Sequence, residues 1–300
     1  MNGSGIPHAV VAYLLWGLLP VYWKALQSVS PVQILAHRIV WSFVILGLVM
    51  LVRREGGAWF ALLRQGRAVR LHGLAACLLA INWLTYIHGV NTDRIVETSL
   101  GYYINPLFSV VLGVVVLRER LRPLQWLAVG FAFLAVGLMT LRAGRLPWIA
   151  LVLAASFGLY GLAKKKASLP ALPGLTLETG ALVVPAAFGL ALAWLRGTGA
   201  LGRADASTQV LLVLAGLVTL APLLLFAHAA RTVPLSTLGL LQFLAPSVAL
   251  GIGVAVYGEP FDRTRQLSFG LIWLALAVYW LETWRGSGRG LPPPTKEPCA

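Results

Sequence analysis

The chain has 300 residues, 58% of them apolar and only 11% charged, with a mean hydropathy of +0.80. A soluble domain carries roughly 25% charge, and a soluble core of this length could not enclose so much apolar surface, so the solvent for most of the chain is lipid. The net charge of +14 would suit nucleic acid, but the basic residues sit at the junctions between apolar runs, and that placement excludes a nucleic-acid partner.

A membrane helix needs about 20 apolar residues. Taken in order, the runs at 6–27, 31–52, 68–91, 95–117, 122–141, 146–163, 175–195, 207–231, 233–256 and 263–284 predict an all-α, polytopic protein of ten transmembrane helices. The first run starts almost at Met1, lacks a basic leader and flows into the second, so it reads as a span and not as a signal peptide. It carries Trp16 deep within it. The second holds Arg38 about seven residues in, roughly 10 Å along the helix. A central arginine costs at least about 2.5–3.5 kcal/mol to insert. Arg38 is therefore either paired inside the bundle, with Glu97 as the partner of similar depth, or snorkelling outward.

The third span contains Cys77 and Trp83 and ends at His88. In the fourth, Glu97, Gly101, Asn105 and Ser109 recur at steps of four and share one helix face, flanked by Tyr102 and Tyr103. Such a polar stripe faces protein or water; it lines a substrate path or forms a hydrogen-bonded helix seam. Pro106 lacks a donor and crowds the carbonyl of Tyr102. In the sixth span, GLYG at 158–161, like GIG at 251–253 in the ninth, reads as small residues for close helix packing. Glu178 opens the seventh span, where a carboxylate favours the helix N-terminus, as Glu97 does in the fourth. The eighth ends at His228. The ninth carries Gln242 and Pro246, and residues 285–300 form a Gly/Pro-rich polar tail read as disordered.

The two halves repeat. Residues 84–138 lie over 224–278 at a constant offset of 140, so that His88 meets His228, Pro106 meets Pro246 and Glu119 meets Glu259. With an odd number of spans per half, 6–141 and 146–284 enter the bilayer with opposite topology. Inverted repeats with interrupted helices at matching positions are a signature of alternating-access transporters; inheritance of a simple kink is the plainer account of the prolines. The basic residues divide 15 to 8 between alternate junctions, which puts both termini in the cytoplasm. Trp23, Trp41, Trp126, Trp148, Trp273, Trp280 and Trp284 lie near span ends as an aromatic belt. His88 and His228 serve proton coupling, or are interfacial histidines satisfied by water.

No HExxH, GxxxxGK[ST], paired CxxC or GxSxG occurs, so no catalytic, metal or cofactor site is expected. Cys77 and Cys299 cannot form a disulfide framework. Two stretches are more specific. The segment NWLTYIHGVNTDRIVETSLGYYINPLFSVVLGVVVLRERLRPLQWLAVGFAFLAVG at 82–137 and HRIVWS at 37–42 resemble the RarD branch of the drug/metabolite transporter superfamily. SFGLYGLAKKK at 156–166 and LTLETGALVVP at 175–185 are similar to it too.

That resemblance implies two EamA-type five-helix repeats, an inner-membrane permease with a central cavity, and an exporter of a small organic metabolite or drug, chloramphenicol-like compounds among them. In the second half the counterpart of the ERL motif reads GEPF at 258–261, a departure from equivalence. The expected site lies between the halves, at Trp16, Arg38, Trp83, Glu97, Tyr102, Tyr103, Asn105 and Gln242, with His88 and His228 for protons. Its partners are a small-molecule substrate, lipid and protons. A non-transporting scaffold would need no cavity, and mutation of the span-four stripe would then matter only to stability.

Overall fold

In lipid no water satisfies a bare backbone, so long apolar runs fold as helices that close their own hydrogen bonds. A computed structural model describes residues 5–54, 66–92, 95–143, 148–167, 169–258 and 263–287, and among these it has eleven helices. They are α1 (Gly5–Ala25), α2 (Pro31–Val52), α3 (Gly66–Asn91), α4 (Ile95–Val115), α5 (Pro123–Ala143), α6 (Trp148–Lys166), α7 (Ala171–Leu195), α8 (Ala206–Thr232), α9 (Leu235–Leu241), α10 (Leu244–Ala255) and α11 (Arg263–Ser287). Among the described residues eight stretches, against the ten expected, are long and apolar enough to cross a membrane, one of them Leu235–Ala255 running through α9 and α10; Gly101–Val115 in α4 is a shorter apolar helix. The protein is a multi-pass membrane protein.

Local chemistry sets the ends. Pro31 starts α2 at a position that needs no donor. Asp205 caps α8, accepting from Thr208 N at 3.0 Å and Thr208 Oγ1 at 2.7 Å. With the Ser207 hydroxyl, these donors hold its carboxyl well below the usual carboxylate range. The start of α9 is capped from the other half: Glu119 accepts from Leu235 N at 2.7 Å, Ser236 N at 2.9 Å and Ser236 Oγ at 2.6 Å.

Two ends differ from the sequence expectation, with consequences below. The seventh helix begins at Ala171, not at 175, because Pro173 falls in its first turn, where its missing donor breaks no bond. Glu178 therefore lies two turns inside. The sixth helix runs to Lys166, which brings Lys164 inside as well.

The largest helix contacts pair off, although α6 on α8 has no equally large counterpart. Helix α1 packs on α8 and α10, and α6 packs on α3 and α4. Helix α2 packs on α7 and α8, and α7 packs on α2 and α3. Helix α4 crosses α9, and α5 lies against α11. Exchanging α1–α5 in order for α6, α7, α8, α9–α10 and α11 turns each of these contacts into itself or into another of the set.

Several close crossings rely on glycine, two of them most tightly against backbone. A Cβ on Gly216 would stand 2.6 Å from the Trp41 carbonyl carbon, and one on Gly239 would stand 2.5 Å from the Pro106 carbonyl oxygen. The GIG expectation holds less well, since Gly251 has open space where a Cβ would be.

Pro106 leaves α4 continuous. At the matching point the second half breaks, with Gln242 and Phe243 separating α9 from α10. The Gln242 carbonyl, expected to be freed by Pro246, instead accepts from Ala245 N at 3.1 Å because the chain tightens into a three-residue turn.

Candidate substrate site and a second buried polar cluster

A guanidinium inside a membrane protein must be surrounded by groups that replace water. Arg38 Nε donates to Thr219 Oγ1 of α8 at 2.9 Å. Its guanidinium carbon lies 4.7 Å from the ring centre of Trp23 and 4.9 Å from that of Trp83. Tyr22, Tyr86 and Tyr102 lie within electrostatic reach of it. The Tyr22 hydroxyl donates to the Leu211 carbonyl, which pins α1 to α8. The Tyr86 and Tyr102 rings meet edge-on at 6.2 Å. Each cation–aromatic contact contributes about 0.5–2 kcal/mol, which offsets part of the cost of burying Arg38 without neutralising it.

Among the described residues no carboxylate pairs with Arg38 and its remaining N–H donors have no partner. The side chain of Glu97, and with it the expected Arg38–Glu97 pair, falls outside the described residues. Tyr102 is 49% and Tyr86 38% exposed. An apolar cavity of about 210 Å³, lined by Leu35, Ala36, Ile39, Leu182 and Ala186, shares Trp83 with this cluster.

The other expected residues separate from this group. Trp16 packs among Tyr13, Phe157 and Phe226, with ring centres 5.6–5.7 Å away. Tyr103 stands edge-on to Phe269 at 5.4 Å. Asn105 and Gln242 are buried, and Asn105 Oδ1 has no hydrogen-bond partner among the described residues. His88 is exposed beside Trp148 at 5.8 Å, and His228 is exposed with its ring 4.5 Å from His8. Thr219, Trp23, Tyr22 and Tyr86, which complete the surroundings of Arg38, carry no sequence signal of their own; only depth in neighbouring spans could have suggested them.

A second polar cluster was not legible in the sequence. Glu178 Oε1 accepts from Lys164 Nζ at 2.6 Å and lies 2.7 Å from His72 Nδ1, while its Oε2 accepts from the Tyr160 hydroxyl at 3.2 Å. All four residues are buried. They sit near the start of α3, the end of α6 and the start of α7. Arg38 and its neighbours sit at the end of α1, the start of α2 and the end of α3. The two clusters thus occupy opposite ends of the bundle, separated along α3 by about 16 Å from His72 to Trp83. The ring of Tyr160 joins that second cluster to a packed aromatic layer with Tyr13, Trp16, Phe157 and Phe226.

The chain was compared with known proteins. The EamA-like transporter family matches residues 3–141. An uncharacterized transporter of Pseudomonas aeruginosa is 44% identical, covering 95% of this chain and 95% of that protein. Protein RarD of Streptomyces exfoliatus is 44% identical over 95% of this chain and 91% of its own length. Protein RarD of Escherichia coli is 38% identical over 93% and 94%. One crystal structure superposes with a TM-score of 0.73 at 20% identity, covering 95% of this chain and 100% of that one, and shows a shared fold.

Proposed function

The chain belongs to the EamA-like transporter family, on its RarD branch, and from that premise we propose that it is a secondary transporter that exports a small organic anion by alternating access. Its two five-helix repeats, 6–141 and 146–284, are inverted with respect to each other, and both termini, with the tail 285–300, are cytoplasmic. The pairing of the largest helix contacts supports the two repeats, and the unequal basic junctions support the orientation. The observation that carries the substrate class is Arg38, held between Trp23 and Trp83 with donors to spare and no carboxylate partner among the described residues. A guanidinium with free donors matches a carboxylate or similar anion, and its aromatic walls match a flat apolar body. The substrate itself completes the pairing that the protein omits. Tyr102 and Tyr86 orient it, and Asn105 and Gln242 at the α4–α9 crossing come into play as the halves move.

The test is efflux from proteoliposomes loaded with a pooled metabolite library divided into organic anions, cations and neutral compounds, with chloramphenicol as a separate arm. Depletion confined to anions is expected. Selective loss of cations would overturn the substrate class, and no flux in any arm would favour a non-transporting role.

A further inference from the structure

Glu178 holds a buried carboxylate on three donors from two other helices. Lys164 Nζ and the Tyr160 hydroxyl donate to it, and a carboxylate paired with an ammonium can only accept. The nitrogen of His72 that faces it must then carry a hydrogen, so Nδ1 is the donor. That assignment leaves Nε2 of His72 as the position at which a further proton binds. Nε2 is buried and has no partner among the described residues.

The charges count simply. With neutral His72 the cluster is Glu178 minus and Lys164 plus, which cancel. With a proton on Nε2 it becomes a buried net cation that also holds an unpaired N–H donor. Both changes are expensive away from water. Opening the cluster to water relieves them.

His72 shares α3 with Arg67, Arg70 and His88, and α4, which also packs on α3, carries Tyr102 and Tyr103; none of these bonds His72 or Glu178. On α7 Glu178 is the only ionisable residue. From α3 it receives His72, and from α6 Tyr160 and Lys164. The α2 and α8 helices also pack on α7, and they carry His37, Arg38, His228 and Arg231, none of which bonds the Glu178 carboxylate. Lys165 turns away to the Val233 carbonyl at 2.6 Å.

Position adds the second argument. Arg38 and Glu178 differ by 140 in number, the offset at which 84–138 lies over 224–278, and each is seven residues past the first residue of its helix, Pro31 and Ala171. Arg38 touches α1 and α8; Glu178 touches α6 and α3, the helices that replace those two when the halves exchange. The repeats therefore place opposite charges at equivalent points, one at each end of the bundle. Beside Arg38, Tyr102 and Tyr86 are exposed; beside Glu178 every bonded side chain is buried.

We propose that His72, Tyr160, Lys164 and Glu178 form a proton-binding latch across the two halves, which closes the inner end of the path when His72 is neutral and releases it when Nε2 is protonated. The inference rests on the transport reading for its meaning, but the latch can be tested without any substrate, so the two can fail separately.

Full-length protein in lipid nanodiscs, spin-labelled at the exposed positions Arg67 and Lys166 on either side of the latch, reports the α3–α6 distance by pulsed electron resonance at pH 8 and pH 5. The wild type should widen at pH 5. His72→Gln, whose amide can donate to Glu178 and cannot take up a proton, should hold the short distance at both values. Gly174→Ala should widen it at both, because a Cβ there would lie 2.5 Å from His72 Cε1 and push the ring off Glu178. Nitrogen-15 histidine spectra of the same samples should show one resonance that titrates at Nε2 and disappears in His72→Gln. A wild-type distance that ignores pH, an unchanged pH response in His72→Gln, or a His72 resonance that does not titrate would each overturn the latch.

Discussion

At the scale of single residues, Arg38 and Glu119 show what a charge does in a membrane protein once its partners are known. Replacing Arg38 by Ala removes a charge-assisted contact of about 1.5–3 kcal/mol, so substrate affinity in the flux assay should fall roughly 10- to 100-fold. Arg38→Lys should restore little, because an ammonium lacks the planar fork. Glu119 acts differently: it caps α9 from the opposite half through two backbone amides and a hydroxyl. Glu119→Ala would strand those donors, and thermal unfolding in detergent should register a loss of about 1–3 kcal/mol, while Glu119→Gln retains part of it. The sequence made Arg38 conspicuous because one arginine in an apolar run needs an explanation. It hid Glu178 and Lys164, because a carboxylate near a span start and a lysine near a span end have ordinary reasons to be there. Only Pro173 in the first turn of α7, and the extension of α6 to Lys166, moved both into the interior.

Among elements, hydrophobic runs located the helices well, since length and composition alone decide what can lie in lipid. The runs say nothing of how closely two helices approach. That depends on positions such as Gly216, where α2 and α8 meet backbone to backbone and the Ser42 hydroxyl donates to the Gly216 carbonyl at 3.2 Å. Gly216→Ala should force these helices apart and lower the melting point by an overpacking cost of about 1–3 kcal/mol; Gly251→Ala, in open space, should leave it unchanged. The proline pair illustrates a second limit. Pro106 and Pro246 occupy matching positions, yet α4 continues and its counterpart divides at Gln242 and Phe243. A proline fixes which bond is absent, and the neighbouring helices decide whether the chain bends, tightens or runs on.

For the molecule as a whole, the doubled sequence pattern predicts two inverted halves, and the larger helix contacts pair off in the way that proposal requires. Orientation rests on the unequal basic junctions: reporter fusions at Arg64 and Lys165 should both read cytoplasmic, and a periplasmic signal at either would reverse the topology. The aromatic layer of Tyr13, Trp16, Phe157, Tyr160 and Phe226 has a consequence of its own. A membrane that stores energy as an ion gradient cannot tolerate a continuous thread of water through any of its proteins, because protons would run down it unchecked. On the proposed path, these five interlocked rings make an electrical insulator as well as a packed core. Phe226→Ala should turn that insulator into a leak: liposomes bearing the variant, with no substrate present, should lose an imposed pH difference faster than those bearing the wild type.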